Sequence, residues 1–132
     1  MAAGAAKPLI ERAVRSGFRF ARAHQTAMRL LLRAVMSSGE LDPTRRQREQ
    51  LPFLSKASEL LGAALGRPAG ELRLPLQSIV ALTARYAVSS ERELEGIVGS
   101  GGSTGEAVES HLVEVALALL STERPRKRHG HA

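Results

Sequence analysis

The chain contains no cysteine and no tryptophan. Disulfides, thiolate metal sites and a cysteine nucleophile are excluded, and a disulfide-rich secreted class with them. The aromatics are Phe18, Phe20, Phe53 and Tyr86 alone. Strands draw on aromatic and β-branched side chains, so this scarcity argues against a sheet-rich fold. It also argues against nucleic-acid modules that stack bases on aromatic platforms. No apolar run approaches the ~20 residues of a membrane span; Leu30-Leu31-Leu32, for example, is bracketed by Arg29 and Arg33. No apolar stretch follows the early charges as in a secretory signal. Asp42 is the single aspartate, and the glutamates are scattered, with no pair standing out as an acid/base couple. The expectation is a cytoplasmic non-enzyme with no metal and no cofactor.

What is present is globular in composition. Of 132 residues, 43% are apolar and 24% charged, enough for one domain with a core that needs no staples. The net charge is +6, but Arg124, Arg126, Lys127 and Arg128 carry four of those charges in one tail. The rest of the chain is close to balance. Residues 1–34 hold Lys7, Arg12, Arg15, Arg19, Arg22, Arg29 and Arg33 against the single acid Glu11. Two readings fit that bias: a solvated basic helix face, or the Arg-rich, acid-poor pattern of an organellar presequence.

Periodicity predicts an all-α fold of about six helices in an antiparallel bundle over residues 8–121. Residues 1–7 are expected to be disordered, and 122–132 to form a basic disordered tail. Pro8 opens the first helix, 8–23, whose apolar stripe is Ile10, Val14, Phe18 and Ala21. Phe20 lies to one side of that stripe, and Arg12, Arg15, Arg19 and Arg22 take the opposite side. Thr26 is expected to cap a second helix, 27–37. It is apolar on most sides, which predicts a central place in the bundle. Asp42-Pro43 is a cap followed by proline at the first helical position. It opens a third helix, 43–65, with a kink or break near Gln50 caused by Pro52. Gly66 and Pro68 stop it. A fourth helix covers 70–88. Ser90 with Glu93 and Ser103 with Glu106 have capping-box spacing, opening helices at 91–98 and 106–120 on either side of a Gly/Ser loop.

Several local patterns carry a chemical suggestion, and each has a plainer reading. Gly101-Gly102-Ser103-Thr104-Gly105 has the G-x-S-x-G form, but no strand precedes it, and Ser103 reads as a helix cap. As a phosphate cradle the same loop lacks the following Lys-Ser/Thr. His129-x-His131 is too few ligands for a structural zinc site. Residues 124–128, Arg-Pro-Arg-Lys-Arg, would attract phosphates without sequence preference, or simply solubilise the chain. His24 stands at a helix corner as a structural residue. His111 lies on an otherwise apolar face, as an interface polar group or a pH-sensitive one.

The segments Phe18-Arg19-Phe20-Ala21-Arg22-Ala23-His24 and Met28-Arg29-Leu30-Leu31-Leu32-Arg33 resemble the C-terminal domain of tetracycline-repressor-like (TetR family) transcription regulators. Leu51-Pro52-Phe53-Leu54, the helix from Leu72 to Tyr86 and the last helix from Ala107 to Leu120 extend the resemblance over residues 9–121. It implies a homodimerising domain enclosing a pocket for a small apolar effector. It also implies that the last two long helices, Leu72–Val88 and Glu106–Leu120, build a four-helix dimer interface. The family's DNA-reading helix-turn-helix would precede residue 8, where only seven residues stand. DNA would then be reached only through an N-terminal domain missing here. A piece of a longer regulator, an internal-start product and a stand-alone domain all fit.

No family motif fixes the pocket residues. Side chains of mixed aromatic and polar character expected to face it are Phe20, His24, Met28, Phe53 and Tyr86. The expected dimer surface is Ile79, Val108, His111, Leu112, Val115 and Leu119, since a two-fold interface covers apolar stripes that a small domain leaves bare. The alternative is a structural or interaction bundle without ligand, including an organellar subunit with an Arg-rich presequence.

Overall fold

A computed structural model describes residues 2–99 and 102–121. It is all-helical, with no strand among the described residues. Six helical runs follow in order. Helix α1 is Ala2–Ala23 and α2 is Gln25–Ser38. Helix α3 covers 43–65 as three consecutive stretches: Pro43–Arg45, a π-helical Arg46–Gln50, and Leu51–Leu65. Then come α4 (Ala69–Ala87), α5 (Glu91–Val98) and α6 (Thr104–Ser121). No helix among the described residues is long and apolar enough to cross a membrane.

Helix α1 runs through the middle. It packs along α6 and also meets α4 and the second half of α3. Its buried stripe is Ala6, Ile10, Val14, Phe18 and Ala21, at helical spacing throughout. The helix begins at Ala2, six residues before the expected start at Pro8. Alanine is the strongest helix former, and Ala6 is a core residue. Residues 2–7 are therefore helical rather than disordered.

Helix α3 does not end at Pro52. Proline has no N–H to offer, and the chain adjusts by widening one turn just ahead of it. The Leu51 N–H reaches back five residues to the Arg46 carbonyl. A π-bulge is a recognised way to relieve such a helix without breaking it. The N-terminus is as expected, with the Asp42 carboxylate accepting from the Arg45 N–H at 3.3 Å. The Ser90 hydroxyl likewise accepts from the Glu93 N–H at 3.1 Å, opening α5, and the Ser103 hydroxyl accepts from Glu106 at 3.4 Å, opening α6.

Helix α2 departs most from expectation. Its eight apolar residues among fourteen suggested a central place, yet none of its residues is buried. Its contacts with the bundle are sparse and fall chiefly on α1 and α4, with Met28 set against the core. The expected cap, Thr26, lies inside the helix, and His24 takes the cap position without a side-chain bond. The one-residue break at His24 turns α2 outward, because α1, α3, α4 and α6 already fill the core.

Helix α3 faces inward with Leu54, Ser58 and Gly62. Its end turns on Gly66, at φ +67°, where the N–H groups of Gly66 and Arg67 both reach the Gly62 carbonyl. A Cβ at Gly62 would stand 2.6 Å from the Arg67 carbonyl oxygen. One stripe therefore yields two predictions of opposite sign. Gly62→Ala gains helix propensity of about 1 kcal/mol but forces backbone apart, so a net loss of about 1–3 kcal/mol and a lower Tm are expected. Ser58→Ala removes a buried hydroxyl with no hydrogen-bond partner among the described residues, so an unchanged or higher Tm is expected. Thermal melts of the two variants beside the parent chain check both.

Candidate functional site

The five expected pocket residues do not converge on one enclosed cavity. Phe20 is 64% exposed and Phe53 53% exposed. His24 is exposed, while Met28 and Tyr86 are half-buried against the core. Phe20 and His24 are joined: their rings stack with centroids 4.3 Å apart, and His24 Nδ1 donates to the Phe20 carbonyl at 2.8 Å. A carbonyl only accepts, so the proton sits on Nδ1. Tyr86 instead meets His111 edge-on at 6.4 Å. Of the five, only His24 lines the open hollow at the α1–α2 elbow, which is about 570 Å³. Arg22, Ala23, Gln25, Thr26, Ala27 and Leu30 complete its wall.

The expected dimer surface divides in two. Ile79, Val108 and Leu112 are buried in the core of the single chain. They are not free for a partner, because α1, α4 and α6 pack against one another there. His111 and Leu119 are exposed and Val115 half-buried. The α6 face left open is therefore narrower than the apolar spacing suggested.

Polar chemistry concentrates where the sequence suggested a solvated face. Arg12 stays exposed, but three arginines of α1 reach across to other helices. Arg15 and Arg19 both bind the buried carboxylate of Glu109 on α6, at 3.2 and 2.9 Å. Arg22 donates to the carbonyls of Ala87 and Ser89 at 3.4 and 2.8 Å and pairs with Glu91 of α5. Gln25 donates to Ala87 at 2.9 Å, and Arg29 to Val88 at 3.1 Å. The carbonyls at the end of α4 are thus met by three side chains from α1 and α2. At the end of α6, the Leu120 carbonyl accepts from Arg67 at 2.9 Å. Sequence reading missed Glu109 because it sits on α6 between Val108 and Ser110 with no lysine or arginine within a turn of it. The available signal was the i, i+4 pair Arg15/Arg19, which can grip one acid from two sides.

No cluster of three or more metal-ligating side chains occurs among the described residues. His129, His131 and the basic run 124–128 lie outside the described residues, as does Gly101 of the G-x-S-x-G pattern. Ser103 is engaged as the α6 cap. Compared with known proteins, the chain matches no family model, no curated protein and no solved structure.

The Glu109 cluster has a defined pH signature. Burial pushes the carboxyl up, but hydrogen bonds and charge from Arg19 and Arg15 outweigh it and hold the group below its ordinary range. A carboxyl lowered on folding contributes stability above its unfolded pKa, and that contribution is lost as pH falls through the folded value. Thermal melts are expected to lose this contribution on acidification from about pH 7 to about pH 3. Glu109→Gln lowers stability at neutral pH by about 1–2 kcal/mol, since both arginines still reach water, and flattens the acid-side slope. A parent-like slope in the variant would place the pH dependence elsewhere.

Proposed function

We propose that the chain is a non-enzymatic, cytoplasmic interaction module that works as a homodimer. The observation that carries this reading is α2, a helix rich in apolar side chains with no buried residue. Leu30 is 62% exposed and Met36 84% exposed. Isolated apolar side chains on a surface are ordinary, but Ala27, Leu30 and Ala34 form one continuous exposed apolar strip along the helix, and such a strip marks an interface. The occupant that suits it is a second copy. Both cations of α2, Arg29 and Arg33, stand four residues apart on one edge. The arc of Ala27, Leu30, Leu31 and Ala34 is uncharged, so two copies can meet there about a two-fold axis without like charges at the centre.

A second reading is the effector domain of a tetracycline-repressor-like regulator, dimerising through α4 and α6 and controlling DNA binding by a separate domain. Its support is the sequence resemblance together with the hollow beside His24, whose volume lies in the range of about 300–1,000 Å³ typical of small-molecule sites. A panel of small apolar compounds tests it by thermal shift. A ligand of the native state at a hundredfold excess over its Kd stabilises by about 2.7 kcal/mol. Stabilisation abolished by His24→Ala would favour this reading.

Size-exclusion chromatography with light scattering at tens of micromolar tests the dimer. The expected mass is twice the 14.1 kDa of one chain. Leu30→Glu with Ala34→Glu, both on that arc, is expected to return it to one chain, while Leu119→Glu leaves it paired. A parent mass of one chain sinks the homodimer, and dissociation by Leu119→Glu alone moves the interface to α6.

A further inference from the structure

Helix α4 ends without a glycine. Its cap residue, Val88, stays right-handed at φ −87°, ψ −7°, so the left-handed turn that commonly satisfies the last carbonyls is absent. Those carbonyls need donors from elsewhere. Gln25 and Arg29, one turn apart on α2, supply two of them, on Ala87 and Val88. Arg29 also brings a cation to the negative end of the helix dipole. On the other side of the contact, α2 has no buried residue to hold it. It joins α1 through the break at His24 and leaves through Gly39, at φ +81°. Its apolar contact is limited to the half-buried Met28, Leu31, Leu32 and Val35, so polar contacts carry part of the fastening that a buried apolar face usually supplies.

We propose that α2 is a latched arm: Gln25 and Arg29 fasten it to the carbonyls of Ala87 and Val88 at the end of α4, and their release frees α2 while the rest of the bundle stays folded. The latch sets the orientation in which α2 presents Leu30 and Ala34, and to that extent it rests on the interaction reading above. From α1, Arg22 holds the Ala87 and Ser89 carbonyls, so the end of α4 keeps part of its capping when α2 leaves. The half-buried Met28, Leu31, Leu32 and Val35 are what release uncovers.

Hydrogen exchange by mass spectrometry tests the latch, on the Leu30→Glu/Ala34→Glu background so that no second copy shields α2. Into it go Gln25→Ala and Arg29→Ala together. Alanine favours helix more than either parent residue, so faster exchange cannot come from lost propensity. Exchange over residues 27–38 is expected to rise about tenfold, the loss of two hydrogen bonds, one of them charge-assisted. Peptides of α1 and α6, and the Tm, should hold. Arg33→Ala, on the same helix, is the control and leaves α2 unchanged. Unaltered exchange in α2 would overturn the latch, and so would acceleration of all helices together, because α2 would then open only with the whole bundle. The light-scattering mass of the parent chain judges self-association separately.

Discussion

The ends of helices α4 and α6 impose the constraint that shapes the surface of this protein. A helix leaves its last carbonyls without internal partners, and α4 passes into Val88 without a left-handed residue. Arginine meets helix carbonyls at two places. Arg67, just past α3, reaches Leu120, and Arg22 and Arg29, flanking the α1–α2 elbow, reach the end of α4. Guanidinium suits the task, because it is always charged and offers several donors in a fixed plane. The positions of α2 and of the α3–α4 turn follow from where those carbonyls stand.

Helix α1 integrates the rest. One side of it supplies five core residues, from Ala6 to Ala21. The flank supplies Arg15 and Arg19 to a carboxylate that α6 would otherwise bury alone. A buried ion cluster of this kind contributes less net stability than its short distances suggest, since desolvation offsets much of the attraction. Its stronger effect is on register. Glu109 can be satisfied only where both arginines reach it, which sets how far α6 slides along α1.

Much of the fold was legible beforehand. The stripe Ile10, Val14, Phe18 and Ala21, the caps at Asp42, Ser90 and Ser103, and the stop at Gly66 are local features. Each depends on residues within a turn or two, so spacing reveals them. The disturbance around Pro52 was legible as a position, though not as a π-bulge, because the relief of a missing donor depends on which neighbouring turn yields. The candidate site was read less well. Phe20 and Phe53 were expected inside and lie outside, while Ile79, Val108 and Leu112 were expected at a partner's surface and lie in the chain's own core. The aromatic or apolar character of a side chain says that it gains from being covered, but not by which neighbour.

The same distinction separates α1 from α2. By itself the sequence determined an all-helical chain with particular starts, stops and apolar faces, because propensity, capping and 3.6-residue periodicity act over a few residues. Only the tertiary structure decided which apolar faces are used. It drew α1 into the centre, left the equally apolar α2 at the edge, and turned a basic helix face into a set of caps and a grip on Glu109. Those outcomes depend on how much area each helix finds already covered and on which distant carbonyls and carboxylates come within a guanidinium's reach. Both are properties of the assembled helices that no local stretch of sequence contains.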